Sequence, residues 1–271
     1  LSDKALSTPE LAPTRDGFGK GLLEAGEKNE RVVGLCADLT ESVRMHWFAQ
    51  KFPQRFFQVG VAEQNLAGVA AGLALEGKIP FASSFGVFSP GRNCDQIRVS
   101  ICYSNANVKI ASSHTGLTVG QDGATHQALE DVAIMRVLPG MTVLVPCDFI
   151  ETKKATLAAA ELNGPVYLRF GREKTPVVTT EQTSFEIGKA QVFYEGADVT
   201  IISCGIMTPM ALSAASELEK QGTSVRVVNC HTIKPLDVKT IVQAARETGA
   251  IVTAEEHQIT GGLGGAVSET V

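Results

Sequence analysis

Glu63 lies in Gly60-Val61-Ala62-Glu63-Gln64-Asn65 and is followed by the small-residue run Leu66-Ala67-Gly68-Val69-Ala70-Ala71-Gly72-Leu73. A lone carboxyl opening an apolar, closely packing helix, with Arg55 and Lys78 as its nearest bases along the chain, is expected to have a raised pKa. Such a group serves a ligand as a hydrogen-bond donor or proton partner. It could equally complement the helix dipole from the first turn. A second concentration of chemistry is the stretch 112–127, with two histidines, one aspartate and three glycines in sixteen residues. Its glycines allow sharp turns and close approach of backbone to ligand, and a long loop in a compact domain is usually functional. His114, Asp122 and His126 follow no standard metal-ligand spacing and no cysteine joins them, so a metal site is not expected there.

The elements that must position these residues alternate. Strands are expected at 31–36, 55–59, 79–83, 108–112, 141–145 and 165–170, and helices at 16–28, 62–75, 93–103, 127–137 and 148–162. This pattern predicts an α/β fold with a mainly parallel sheet. Ligands of such sheets bind beyond the carboxyl ends of the strands, where the loops 38–42, 60–63, 84–92 and 113–127 fall. The polar, proline-punctuated stretch 171–184 reads as a linker. A second α/β unit follows, with strands at 198–204, 224–230 and 250–253 and helices at 209–221, 238–248 and from 264 onward. The expected domains are therefore 1–185 and a smaller 186–271. The second is expected to be incomplete, its last helix running past Val271.

The 271 residues allow one large or two moderate domains. With 24 basic against 29 acidic residues and no basic stripe, nucleic acid is not an expected partner. No apolar run approaches the roughly 20 residues that span a bilayer, so no membrane partner is expected. Residues Leu1-Ser2-Asp3-Lys4-Ala5 lack a signal-peptide core. The six cysteines form no Cys-x-x-Cys pair and read as buried thiols of a reducing compartment, which places the chain in the cytoplasm.

Three segments together resemble transketolase: Gly-Val-Ala-Glu63-Gln-Asn, Ala37-Asp38-Leu39-Thr40-Glu41-Ser42, and the loop from His114 through Gly120-Gln121-Asp122-Gly123-Ala124-Thr125-His126-Gln127. The resemblance covers essentially the whole chain but only the pyrimidine-binding and C-terminal parts of that enzyme. It looks like the smaller subunit of a split bacterial or archaeal transketolase. The implied fold is the pyrimidine-type thiamine-diphosphate-binding fold plus a C-terminal α/β domain. The implied reaction moves a two-carbon ketol unit from a ketose phosphate to an aldose phosphate in the pentose phosphate pathway.

The resemblance also implies roles. Glu63 would hydrogen-bond N1′ of the cofactor's aminopyrimidine and so promote loss of the thiazolium C2 proton. Phe85 and Phe88 would flank the pyrimidine ring, for which flat apolar faces are suited. A third aromatic of the family is replaced by Gly91. Asp38 would lie near the thiazolium, His126 and His114 around the reacting carbons, and Asp122 on a sugar hydroxyl. Arg15, Ser42, His114 and Arg172 would hold the substrate phosphate, with Arg169 competing for the place of Arg172. His257, before Gly261-Gly262, is expected to serve a structural turn.

The Gly-Asp-Gly segment and downstream Asn that hold the divalent cation on the diphosphate in this family have no counterpart here. The resemblance thus implies that a separate N-terminal transketolase subunit supplies most of the site for Mg²⁺ or another divalent cation. A second copy of this chain would complete a two-fold assembly, a heterotetramer. A 2-oxo acid dehydrogenase β subunit shares the two-domain plan but does not need the His114 to Asp122 loop. Deoxyxylulose phosphate synthase shares Gly-Val-Ala-Glu-Gln but usually lacks a histidine at the position of His114. A non-catalytic relic would not need Glu63, His114, Asp122 and His126 all intact.

Overall fold

The computed structural model describes residues 1, 2, 5 and 7–271; Asp3 and Lys4 of the N-terminal reading lie outside the described residues. The chain enters through β1 (Leu11–Pro13) and α1 (Thr14–Lys28), then alternates β2 (Val32–Cys36), α2 (His46–Lys51), β3 (Phe56–Gln58), α3 (Glu63–Leu75) and β4 (Ile79–Phe85). A short α4 (Cys94–Gln96) runs into the π-helical stretch Ile97–Tyr103, followed by β5 (Lys109–Ser113), α5 (Asp131–Val137), β6 (Thr142–Leu144), α6 (Phe149–Glu161), β7 (Val166–Arg169) and β8 (Lys174–Pro176). The second unit comprises β9 (Gln191–Tyr194), β10 (Val199–Ser203), α7 (Met207–Lys220), β11 (Val225–Asn229), β12 (Thr232–Lys234), α8 (Val238–Thr248), β13 (Ile251–Ala254) and α9 (Leu263–Ser268).

The main sheet has the order β12-β6-β7-β5-β4-β2-β3 and is parallel except for β12. Every residue of β2, β4 and β5 is buried, as expected of parallel strands covered on both faces. One face packs Phe18 and Leu22 of α1, Phe48 of α2 and Ala155 of α6 against Phe81 and Leu168. The glycines of α1 let it lie close to α6: a Cβ on Gly17 would fall 2.2 Å from the Phe149 carbonyl oxygen. The other face packs Leu66 and Ala70 of α3, Ile97 and Ile101 of the π-helical stretch and Met135 of α5. That core continues into the second unit through Ile202, Val228, Ile241 and Leu263.

Three expectations change. The stretch 171–184 is not a free linker. β8 pairs antiparallel with β1, Val178 and Thr179 are buried, and Asp148 accepts the N–H groups of Val178 (2.8 Å) and Thr179 (2.6 Å). Proline and threonine suit an edge strand as well as a linker. The second sheet, β13-β10-β11-β9, carries an antiparallel strand β9 beyond the three expected. β12 leaves that unit to pair with β6, the Val145 N–H donating to the His231 carbonyl at 2.8 Å. Lastly, the helix expected from 127 begins at Asp131, because the preceding residues belong to the chemical loop.

Candidate functional site

Glu63 is the first residue of α3 and is 2% exposed. Ser84 Oγ, at the end of β4, donates to Glu63 Oε1 at 3.0 Å, and Arg92 Nη1 donates to Oε2 at 3.3 Å. Asn93 Nδ2 fixes the backbone beneath by donating to the Glu63 carbonyl at 3.1 Å. The expectation that no base reaches Glu63 is therefore overturned. Arg92 lies 29 residues along the chain and is brought over by the turn after β4. The premise of an isolated carboxyl lapses with it. The Arg92 side chain is 52% exposed, and its guanidinium carbon sits 4.0 Å from the Phe88 ring centroid, a cation–π contact.

Four sequence-selected rings meet, one of them, Phe88, under the Arg92 guanidinium. Phe85 and Phe88 are near-parallel, with centroids 6.0 Å apart and planes at 18°. His114 stacks on Phe85 at 3.8 Å. His126 presents its edge to Phe85 at 6.2 Å and Phe88 at 5.3 Å. Thr125 Oγ1 lies 2.8 Å from His126 Nδ1, leaving Nε2 available. Asp38 stands apart from the rings on the loop after β2; it is exposed, and its N–H donates to Gln58 Oε1 at 2.8 Å.

Cations converge around His114. Arg15, at the start of α1, donates from Nη1 to the Ser42 carbonyl at 3.0 Å, so Ser42 contributes through its backbone. Among the described residues, Arg15 Nε is buried and has no partner. Arg172 Nη1 donates to the Val119 carbonyl at 2.9 Å and to Asp122 Oδ2 at 3.1 Å. Burial lowers the His114 pKa to about 3, with the charges of Arg15, Arg172 and Arg44 adding to the effect. Its imidazole is therefore neutral at ordinary pH. Burial and the neighbouring Arg44 also lower the Arg15 pKa.

The structure separates the two competing arginines. Arg169 is buried, with Nε donating to Asp131 Oδ2 at 2.7 Å, so it belongs to the frame while Arg172 stays at the loop. His257 is structural: Nε2 accepts from the Ala133 N–H at 3.3 Å near the start of α5, and Nδ1 donates to the Gln258 carbonyl at 2.7 Å.

Asp38, Arg44 and His114 have φ of +62°, +65° and +57°. Left-handed backbone at non-glycine residues is costly and gathers at functional sites. All three lie at the carboxyl end of the main sheet. Sequence reasoning missed Arg92, Ser84, Asn93 and Arg44. The adjacency of Arg92-Asn93 to the selected phenylalanines, and of Arg44 to the 38–42 loop, was the available signal. Burial pushes the Cys36 and Cys102 thiols up to about 11 and Cys230 to about 12, which leaves them poor nucleophiles. Among the described residues no group of three or more His, Cys, Asp or Glu side chains could hold a metal ion. No described helix is long and apolar enough to cross a membrane.

A buried carboxylate, four rings joined to it through Arg92, and the arginines around His114 thus gather at one end of the parallel sheet of an α/β protein. The comparisons narrow the class. Residues 11–177 match the transketolase pyrimidine-binding domain and residues 188–271 the transketolase C-terminal domain. The chain is 45% identical over 255 residues to the 6-deoxy-6-sulfo-D-fructose transketolase subunit SqwH of Clostridium sp. (strain MSTE9), covering 94% of this chain and 79% of that one. It is 39% identical over 258 residues to an apulose-4-phosphate transketolase subunit of Phocaeicola vulgatus, covering 95% and 83%. A solved split-gene transketolase, described as an inactive β4 tetramer, superposes with a TM-score of 0.89 at 52% identity, covering 95% of this chain and 83% of that one. The chain belongs to the transketolase family.

Proposed function

We propose that this chain is one subunit of a split transketolase. It moves a two-carbon ketol unit from a ketose phosphate to an aldose phosphate, in the cytoplasm and within the pentose phosphate pathway. Residues 1–185 form its pyrimidine-binding domain and 186–271 its C-terminal domain. Thiamine diphosphate is the cofactor, and a separate N-terminal subunit holds most of its diphosphate end and the Mg²⁺ or other divalent cation. Two copies of each chain make the assembly. The observation that carries this reading is Glu63, a buried carboxylate whose cationic partner Arg92 is half exposed and shares the Phe88 face. The β4 tetramer of the 52% identical neighbour is described as inactive, which favours a missing second subunit.

The donor set fits the pyrimidine end of the cofactor. Phe85 and Phe88 offer flat faces, and Glu63 Oε2 can exchange its bond to Arg92 for one to a ring nitrogen. When bound, thiamine diphosphate supplies the nucleophilic carbon and the electron sink for cleaving a bond beside a carbonyl. Glu63 holds or shares a proton at its carboxylate, and Ser84 keeps the other oxygen in place. Asp38 contributes negative charge one strand away. His126, tied through Nδ1, moves protons at Nε2. His114, being neutral, gives the substrate a hydrogen bond rather than a charge. Arg15 and Arg172 give phosphate charge and paired donors, with Ser42 positioning Arg15. Asp122 accepts from a sugar hydroxyl. The names of the two relatives' sugars include a sulfo and a phosphate group, and the guanidinium groups of Arg15 and Arg172 suit either anion.

The test is ketol transfer from xylulose 5-phosphate to ribose 5-phosphate with thiamine diphosphate and Mg²⁺, using the chain alone and then mixed with its N-terminal partner. Transfer only in the mixture is expected. Transfer by the chain alone overturns the shared-site reading, and none in either case returns weight to the other thiamine enzymes.

A further inference from the structure

The loop 114–127 carries His114, Asp122 and His126; its far part closes on itself through the 3-10 turn Ala124–His126 and Gln127 Nε2 donating to the Leu117 carbonyl at 2.9 Å. Its entry is fixed by the Thr115–Ala128 bridge and by the Gly116 N–H donating to the Ala128 carbonyl at 3.0 Å. Beyond that point the next two amides turn outward and are taken by the second unit. Glu256, on the segment that follows β13, accepts at Oε1 from the N–H groups of Leu117 (3.1 Å) and Thr118 (2.9 Å). Its Oε2 accepts from Thr118 Oγ1 at 3.3 Å. Among the described residues neither amide has another acceptor.

Glu256 is itself held. Its carbonyl accepts from Arg169 Nη2 at 2.8 Å, and Arg169 is locked in the first unit by Asp131. Two residues on, the Gln258 N–H donates to the Leu129 carbonyl at 3.0 Å, beside the exit of the loop. The fit is close. A Cβ on Gly116, which has φ of +81°, would lie 2.4 Å from Glu256 Oε2. At its far side the loop is tied by Arg172 to Val119 and Asp122.

We propose that Glu256 is a positioning residue of the site. Acting from the C-terminal unit, it sets the height of the loop so that His114 stays stacked on Phe85 while Asp122 and His126 face the substrate. Its bearing on substrate rests on the ketol-transfer reading above; the clamp itself rests on these bonds alone. Glutamine can keep both amide bonds at Oε1 and turn its amide to Thr118 Oγ1. Alanine loses all three.

The test is hydrogen exchange on the full chain. Glu256→Ala is expected to speed exchange across 114–127 by about 10-fold or more, with β10 and β11 unchanged. Glu256→Gln should stay within about twofold of the parent. Should Glu256→Ala fail to fold, Gly116→Ala, which pushes the loop off the carboxylate, is expected to loosen the same segment. In the mixture with the N-terminal subunit, Glu256→Ala should raise KM for the donor sugar phosphate about 10-fold with a smaller fall in kcat, and Glu256→Gln should restore it. Unchanged loop exchange, or equal acceleration in β10 and β11, overturns the proposal. A loosened loop in a mixture whose parent enzyme shows no ketol transfer upholds the clamp and removes the functional reading instead.

Discussion

Two glutamates of this chain are equally hidden, each 2% exposed and each in the first turn of a helix, yet their partners differ in kind. Glu151, on α6, accepts from the Cys147 N–H at 2.6 Å and from Asn229 Nδ2 at 2.7 Å. Asn229 belongs to β11, and its Oδ1 accepts from Thr208 Oγ1 at 3.1 Å. Every partner in that chain is buried, and together they join the two units. Glu63 has one fixed partner, Ser84, and one half-exposed partner, Arg92. Burial alone therefore does not separate these two carboxylates; the exposure of their partners does.

Glu63→Gln should break the comparison most sharply. Ketol transfer by the mixed subunits is expected to fall roughly 10³-fold, with little change in the chain's melting temperature. Full activity would mean that the exchangeable partner has no catalytic meaning. Glu151→Ala should do the reverse. It leaves the Cys147 amide and the Asn229 amide group unmet in the interior, and urea unfolding should show a loss of about 4 kcal/mol with kcat retained.

The pH response sharpens the contrast. Burial, with Asp148 beside it, raises the Glu151 pKa from 4.5 to about 7 in the folded chain. The folded state then binds more protons than the unfolded state between those values, so stability falls as pH rises through that window. The contribution is complete below pH 4.5. Relative to Glu151→Gln, the parent should lose about 3 kcal/mol between pH 4 and pH 8 in chemical unfolding. A flat difference would leave Glu151 as ordinary as an exposed acid. The smallest effect concerns the proposed phosphate contact: Arg172→Ala should cost about 2 kcal/mol, read as a KM for phosphorylated donors raised roughly 30-fold. An unchanged KM would remove Arg172 from the substrate side of the comparison.

Much of the frame was legible in the sequence. β2 (Val32–Cys36) and the Val166-Tyr167-Leu168 stretch of β7 are short apolar runs between turn signals, and the helix expected at 238–248 is α8, its acidic cap Asp237 and terminal Gly249 both visible in the sequence. The meeting of Phe85 and Phe88 with His114 and His126 was accessible too, since the two loops leave adjacent parallel strands, β4 and β5. What escaped depends on distant partners. Nothing local tells that Arg92 will fold back over Glu63. Nothing local joins Glu256 to an amide 139 residues away. β9 and β12 are short and antiparallel, without the apolar run that betrays a central strand, and the six residues of α2 are too few for a helical period to show.

The strand β12 has a consequence for how this chain can be divided. It is coded within the second unit but lies on the border of the first sheet, against β6. A fragment ending after β8 would bare the hydrogen-bonding edge of β6, and bare edges recruit strands from neighbouring molecules. The remainder would carry an orphaned strand. The two family-matched regions are thus separable as text but interlocked as a body, and a cut between them would produce two aggregating pieces rather than two modules.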